Sequence, residues 1–267
     1  MKIGICYRPY LHKKFLKEII DKISFIELMP DIMTVSETNF IKDICDSKKI
    51  DMGLHCLRSS LFSPEGPQMD KVENYYYFSE YIHSKYFSDH IAYSSYRERY
   101  LTSVQPIRYN DKNLFVFQNN MTELRKYFPK NFSIENITQN TLFSESIYSE
   151  STFIRKLTEQ QEDITLLFDL TNMYITAKRN NIPFEKYILN YPFDKVKIVH
   201  VSGLYKDKHG IYQDTHSTNF DEEILIPLRM LKSKMSNLEY LLVERDFNVN
   251  SPDDILGDLE KLKEIFE

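Results

Sequence analysis

The segment LLFDLTN, residues 166–172, is a short apolar run that ends in an acid. Other short apolar runs also end at or next to a His, Asp or Glu: MGLHC (52–56), FSDHI (87–91), FSIEN (132–136), KIVHV (197–201) and LLVER (241–245). Runs of this length, rich in β-branched and aromatic residues, are typical of buried strands. A buried ionisable group is costly unless it is paired, so the recurrence needs a structural reason.

Strand-like and helix-like segments alternate along the whole chain. The predicted strands are 2–7, 24–29, 51–56, 85–92, 131–136, 164–170, 195–201 and 240–245. The predicted helices are 11–22, 36–48, 68–84, 113–128, 150–160, 183–190, 221–235 and 252–266. Eight strand–helix units in a chain of 267 residues predict a (β/α)₈ TIM barrel that forms a single domain over residues 1–267. In this fold all the strands point the same way, so their polar ends would surround one mouth.

The composition restricts the class of protein. A net charge of −5 argues against a nucleic-acid binder, which would usually carry a basic face. Three cysteines, Cys6, Cys45 and Cys56, are too few for a disulfide framework, and we expect them to be reduced and mostly buried. No stretch approaches the ~18 apolar residues of a membrane span, and the N-terminus lacks a signal-peptide core. We expect a cytoplasmic protein with no membrane partner.

Ligand-type side chains gather at the predicted strand ends. They are His55, His90, Glu135, Asp169, His200 and Glu244, with Asn136 and Asn172 just beyond two strands and Asp214 and His216 in the loop after the seventh strand. The other histidines, His12, His83 and His209, are predicted to be ordinary surface residues. Arg8, Arg58, Arg108 and Arg245 could pair some of the acids. Bound cations would compensate several imidazoles and carboxylates on one rim more simply than arginine side chains would. We therefore predict a metal centre.

The ligand types narrow the choice of metal. The cysteine spacings of structural zinc are absent, and so is the all-oxygen cage of calcium. Mixed imidazole and carboxylate ligands suit iron, manganese or catalytic zinc. There are too many ligands for one ion, so we expect two or three ions, and a carboxylate such as Glu135 could bridge a pair.

Local strings point to a known family. They are SDHIAYS (88–94), IEN (134–136), LLFDLTNMYITAKRN (166–180), VKIVHVSG (196–203), QDTHS (213–217) and LLVERDFNVNSPDDILGDLEKLKEIF (241–266). In order and spacing the chain resembles the multinuclear non-haem iron-dependent oxidative enzymes (MNIOs), most closely the iron oxidases of methanobactin biosynthesis. It departs from many relatives at Leu204, where they carry a second His. After strand two, Glu27 and Asp31 are the only nearby acids, where many relatives carry a Glu-Asn-Tyr motif.

The resemblance implies residue roles. His55, His90 and Glu135 would hold one iron, Glu135, Asp169, His200 and Glu244 a second, and Asn172, Asp214 and His216 a third. Asn136 would orient Glu135. Asp246 is a candidate catalytic proton acceptor, and a salt bridge to Arg245 or a loop cap is its alternative role.

The resemblance also implies an activity. The protein would be an iron- and dioxygen-dependent oxidase of cysteine in a ribosomally made precursor peptide. It would form a heterodimer with a small partner protein that presents the peptide. The methanobactin branch makes an oxazolone and an adjacent thioamide, a four-electron oxidation.

Two other functions remain open at this point. The same barrel could house a divalent-metal-dependent sugar isomerase or an endonuclease, neither of which needs dioxygen. Alternatively, the chain could be a metal-loaded subunit that only presents a peptide to another enzyme.

Overall fold

The strands close into a parallel barrel. The computed structural model describes residues 1–97, 99–130 and 132–267. The barrel strands are Lys2–Tyr7 (β1), Phe25–Leu28 (β2), Asp51–His55 (β3), Phe87–His90 (β4), Phe132–Glu135 (β5), Thr165–Asp169 (β6), Val196–Val201 (β7) and Tyr240–Val243 (β8). Each pairs with the next in chain order, and β8 pairs with β1 to close the barrel. The predicted (β/α)₈ fold is confirmed.

Helices connect the strands on the outside. They are Val35–Lys48, Met69–Ile82, Asp111–Leu124, Glu150–Gln160, Leu170–Arg179, Phe184–Tyr187, Glu222–Lys232 and Asp253–Phe266, with the short turns Pro9–His12 and Leu16–Ile19 after β1. The longest of these helices have 14 residues. Among the described residues, none of the helices has the length and apolar character needed to cross a membrane.

Two helix predictions were wrong. The predicted helix 11–22 is a broken series of short helical turns. The predicted helix 183–190 shrinks to Phe184–Tyr187, because the main helix of this unit is Leu170–Arg179. Its N-cap is Asp169, whose carboxylate accepts the backbone N–H of Asn172 at 2.6 Å. A helix that begins where the strand ends leaves no intervening loop to mark the change of structure.

Apolar side chains fill the barrel interior below the rim. A cluster of Cys6, Phe25, Tyr86, Leu167, Ile198 and Leu242 is buried there. The Tyr86 ring lies against Gly53, where a Cβ atom would come within 2.5 Å of the ring. Gly53 therefore makes room for a large side chain inside the barrel. All three cysteines are buried and free, as predicted.

Two hairpins are attached at the carboxyl side of the strands. Tyr93–Tyr96 pairs with Arg99–Gln105 after β4, and Tyr205–Lys206 pairs with Tyr212–Gln213 after β7. Loops at this end of a barrel border its mouth. Ser103 and Val104 of the first hairpin line the cavity described below.

Glu150 is a buried acid away from the strand ends. Its two carboxylate oxygens accept the hydroxyl hydrogens of Tyr109 at 2.9 Å and Tyr187 at 2.5 Å. Burial raises the pKa of Glu150 to about 7, although both hydrogen bonds oppose the shift. The carboxylate is therefore held in a site that favours its protonated form.

We expect Glu150→Gln to stabilise the protein relative to wild type at pH 8 and to lose this advantage near pH 5. A raised native pKa contributes stability below the unfolded value of 4.5, and that stability is lost as the pH rises through about 7. The difference in unfolding free energy should change by roughly 2–3 kcal/mol between these pH values. Urea denaturation of both proteins measures it. An equal difference at both pH values would mean that Glu150 titrates normally.

Candidate metal centre

Six side chains from six strand ends meet inside the mouth of the barrel. They are His55, His90, Glu135, Asp169, His200 and Glu244, and all are buried. The register explains their meeting, because His90 lies opposite Glu135 on neighbouring strands, and Asp169 lies opposite His200. Glu244 follows β8, and its N–H extends the ladder to the carbonyl of Val201.

The first group consists of His55, His90 and Glu135. The Nε2 atoms of His55 and His90 lie 3.2 and 3.1 Å from the same oxygen, Oε2 of Glu135. The far nitrogen of each ring also has a partner. Nδ1 of His55 is 2.9 Å from the Ser88 hydroxyl, and Nδ1 of His90 is 3.4 Å from Oδ1 of Asp89. Both rings therefore have fixed orientations.

The second group consists of Glu135, Asp169, His200 and Glu244. One ligand atom from each lies within 4.8 Å of the others. Nδ1 of His200 is 3.2 Å from Oε2 of Glu244 and 3.8 Å from Oε1 of Glu135. Glu135 thus faces the first group with one oxygen and the second group with the other.

The second group has the chemical character of a cation site. Buried polar atoms normally have hydrogen-bond partners. In the described part of the chain, four buried atoms of this group have none: Glu135 Oε2, Asp169 Oδ2, His200 Nδ1 and Glu244 Oε2. Asp169, His200 and Glu244 thus each leave one buried atom without a hydrogen bond, and the unpartnered Oε2 of Glu135 points toward His55 and His90. This arrangement fits bound metal ions on both sides of Glu135.

The third group gathers around His216. Its Nε2 is 2.9 Å from Oδ1 of Asp214, and its Nδ1 is 3.4 Å from both Oε2 of Glu244 and Oδ2 of Asp246. His216 has a positive φ of 45°, which is uncommon for a residue other than glycine and often accompanies a functional role. Asp246 is thus in direct contact with the imidazole of this group.

Asn172 lies at the edge of this arrangement. It lines the same cavity as His216. Its side-chain oxygen accepts the Thr138 hydroxyl at 2.8 Å, and its amide nitrogen is 3.3 Å from the carbonyl of Asn136. The Asn172 side chain thus contacts residues that follow β5 at the mouth of the barrel.

Arg8 is a buried cation beside the cluster. Its Nη2 donates to Oε1 of Glu244 at 2.8 Å, and its Nε donates to Oδ1 of Asp246 at 2.6 Å. The predicted pairing of Arg8 with the rim is confirmed. The other three arginines pair elsewhere: Arg58 with Asp31, Arg108 with Glu145 and Arg245 with Asp258. The alternative salt bridge between Asp246 and Arg245 was therefore wrong.

Two other predictions need correction. His12 is fully buried rather than on the surface, and its Nδ1 accepts the backbone N–H of Arg8 at 3.0 Å, because the chain turns sharply after β1. His83 and His209 are exposed, as predicted. Asn136 does not orient the Glu135 carboxylate. Its side chain binds the backbone N–H and carbonyl of Asp169 at 3.0 and 2.8 Å, so it ties β5 to β6.

Sequence reasoning did not identify Glu27 as part of the site. Its carboxylate oxygens lie 3.1 and 3.2 Å from Nε2 of His200, and one of them accepts the Tyr86 hydroxyl at 2.6 Å. The Cys6 sulfur is 3.5 Å from the same imidazole nitrogen. The available signal was an acid within the apolar strand FIEL (25–28), since a buried acid needs a partner.

Burial and close charges set unusual pKa values in the cluster. Burial raises the pKa of Glu135 to about 7 and moves that of Asp169 well above its usual range. Burial lowers the pKa of His55 to about 3, so this imidazole is neutral. Burial also acts to lower the pKa of His90, but Glu135, Asp89 and Glu244 together outweigh this effect and raise the pKa to about 9. Metal binding requires deprotonated ligands, so it would release protons from this cluster.

A cavity of about 490 Å³ leads from the cluster to the surface. His55, His90, Glu135 and Glu244 line its inner wall. Tyr10 and Phe247 also line it, and both are more than half exposed, so the cavity opens to solvent between aromatic side chains. The volume falls in the range of small-molecule sites.

The fold and the cluster together define a (β/α)₈ barrel with a candidate multinuclear metal centre at its carboxyl rim. Residues 2–267 match the model of the family described as RiPP precursor modification enzyme MbnB/TglH/ChrH, where RiPP denotes a ribosomally synthesised and post-translationally modified peptide. The chain belongs to this family. The resemblance seen in the sequence is thereby confirmed at the level of the family.

Two proteins described as UPF0276 proteins are similar to this chain in sequence. The chain is 28% identical over 183 residues to a UPF0276 protein of Vibrio parahaemolyticus, a match covering 67% of this chain and 63% of that protein. A UPF0276 protein of Shewanella loihica is 22% identical over 98% of this chain and 93% of its own length.

Among solved structures, a xylose isomerase domain containing protein of Salmonella typhimurium superposes with a TM-score of 0.69 at 11% identity, over 99% of this chain and 96% of that one. A D-allulose 3-epimerase of Methylomonas superposes with a TM-score of 0.66 at 13% identity, over 99% and 98%. At these identities the similarity concerns the fold alone.

Proposed function

We propose that the protein is a multinuclear non-haem iron oxidase that modifies cysteine in a ribosomally synthesised precursor peptide. The observation that carries the proposal is the set of four unpartnered buried ligand atoms on Glu135, Asp169, His200 and Glu244. Membership of a family of peptide-modifying enzymes supports the substrate class.

The proposed ligands fall into three sets. His55, His90 and Glu135 hold the first iron, and Glu135, Asp169, His200 and Glu244 hold the second. His216, Asp214 and Asn172 hold the third, with Asp246 as a further acid near His216. Imidazole and carboxylate donors without thiolate suit iron and leave it reactive.

Bound iron would supply the redox chemistry, passing electrons from the peptide cysteine to dioxygen. The protein's own residues place the peptide and control protons. The cavity holds the cysteine next to the cluster and limits the access of water. Asp246 is the proposed proton acceptor, since it lines the cavity and also contacts His216. Its ion pair with Arg8 holds this carboxylate in place.

The proposed product is an oxazolone with an adjacent thioamide, as in methanobactin biosynthesis. This conversion removes four electrons and four protons from the peptide, which is the amount needed to reduce one dioxygen to two waters. We propose that a small partner protein forms a heterodimer with the chain and presents the peptide at the cavity mouth, where Tyr10 and Phe247 are exposed.

Anaerobic purification followed by peptide turnover tests the proposal. We expect two or three irons per chain and consumption of dioxygen only when the precursor peptide and partner protein are present. Asp169→Asn should lose turnover, because it weakens a ligand of the second set.

Tightly bound zinc with no iron-dependent turnover would contradict the proposal. Sugar isomerisation supported by manganese or magnesium without dioxygen would favour the isomerase alternative. Unchanged peptide modification with Asp169→Asn would favour a presenting subunit.

A further inference from the structure

Glu27 is a buried acid that lies below the rim rather than on it. It sits on β2 between apolar neighbours and is only 1% exposed. Its partners are the imidazole of His200 and the hydroxyl of Tyr86. Burying a carboxylate costs several kcal/mol unless its partners are well placed, so this arrangement requires an explanation.

The two nitrogens of His200 face different surroundings. Nε2 faces both carboxylate oxygens of Glu27, whereas Nδ1 faces Glu244 and Glu135. A neutral imidazole carries one N–H and one lone pair. If Nε2–H donates to Glu27, the lone pair of Nδ1 points at the proposed second iron set, and Nδ1 is the atom that has no hydrogen-bond partner.

The surrounding residues hold Glu27 in this position. The Tyr86 hydroxyl donates to Oε2 of Glu27 at 2.6 Å. The Tyr86 ring stacks on Phe25 with centroids 5.5 Å apart and lies against Gly53. The Cys6 sulfur also approaches Nε2, at 3.5 Å, but sulfur is a weak acceptor beside a carboxylate.

The other two histidines at the strand ends are arranged in the same way, with one ring nitrogen facing the cluster and the other contacting a neighbouring polar side chain. His55 and His90 each face Glu135 with Nε2, and the far nitrogen of each meets Ser88 or Asp89. Each of these partners lies on β4. For His200 the partner comes across the barrel interior from β2, a strand that contributes no member of the three proposed iron sets.

We propose that Glu27 is a positioning residue for His200: it accepts the Nε2–H and so directs Nδ1 toward the metal. This inference rests on the proposed metal centre. Partners of this kind orient a ligand and strengthen its donor atom, and their loss typically lowers metal affinity about 10–100-fold.

Titration of metal-free protein with Co²⁺, followed by visible absorption, tests the inference without relying on turnover. We expect Glu27→Leu to weaken one of the bound ions about 10–100-fold and to leave the others unchanged. Glu27→Gln keeps an acceptor oxygen, so it should lose less than about tenfold and shift the visible bands of that ion. Glu150→Gln is the matched control, because it also neutralises a buried acid bound by two side chains, and it should bind Co²⁺ like wild type.

Circular dichroism shows whether each variant is folded. If Glu27→Leu does not fold, Glu27→Gln decides alone: weaker binding with shifted bands supports the inference, and wild-type affinity and spectrum overturn it. Folded Glu27 variants that both match wild type also overturn it. Wild-type protein that binds no Co²⁺ and no iron would instead defeat the proposed metal centre itself.

Discussion

Replacing Glu135 by Gln is expected to abolish peptide oxidation and to disturb two of the three iron sets. Oε2 of Glu135 faces His55 and His90, and Oε1 faces His200, so one carboxylate serves both sets. An amide can offer only one oxygen. We expect activity to fall about 100-fold or more, with iron retained chiefly at the set around His216. Elemental analysis and Mössbauer spectroscopy measure the loss.

The matched control is Glu150→Gln, which changes a buried acid outside the cluster. It should retain iron and activity. Loss of a single ion from Glu135→Gln would mean that the carboxylate does not link the two sets, and full retention of iron would contradict the proposed ligand assignment.

Replacing Glu244 by Gln is expected to leave a different iron bound to the protein from the one that remains in the Glu135 variant. Oε2 of Glu244 lies 3.2 Å from His200 and 3.4 Å from His216, so this carboxylate joins the second and third sets. We expect loss of both, with the ion at His55, His90 and Glu135 retained and turnover reduced about 100-fold. Mössbauer spectra of the Glu135 and Glu244 variants should therefore differ, because each variant retains the iron that the other loses.

Glu244→Gln should also lower stability, because it breaks a buried ion pair. Nη2 of Arg8 donates to Glu244 at 2.8 Å, and Asp246 remains as the other partner of Arg8. Removing one member of a buried pair typically costs about 3–5 kcal/mol. Thermal unfolding of the metal-free proteins measures this cost separately from metal loss. Identical residual spectra for the Glu135 and Glu244 variants would show that the two shared carboxylates are wrongly assigned.

The clustering of ligand residues at the rim could be predicted from the sequence because parallel strands in a closed barrel all end at the same mouth. His55, Asp169 and Glu244 are far apart in the chain, yet each follows or ends an apolar run. Repetition of that pattern identified the cluster without any tertiary information. The division of these ligands into three sets came from the family resemblance and not from this pattern.

Other parts of the site depend on contacts that sequence patterns do not encode. Glu27 meets His200 across the barrel interior, and nothing in the strand FIEL indicates which residue would face it. His12 was misplaced because its burial depends on how the short turns after β1 fold back on Arg8. The predicted rim pairings of Arg58, Arg108 and Arg245 failed for the same reason, since long side chains can reach several acids and packing selects among them.

The helix Leu170–Arg179 was missed because its start coincides with a strand end. β-Branched residues such as Thr171, Ile175 and Thr176 have low helix propensity, which obscured the helical period. The capping contact of Asp169 and the packing of the helix, which buries eight of its ten residues, outweigh that preference.

The cap at Asp169 limits the denticity of this ligand. Oδ1 is committed to the Asn172 N–H, which leaves only Oδ2 for an ion. Asp169 would therefore offer a single oxygen to an ion of the second set. By the same reasoning Glu244 would offer only Oε2, because its Oε1 accepts the Nη2–H of Arg8.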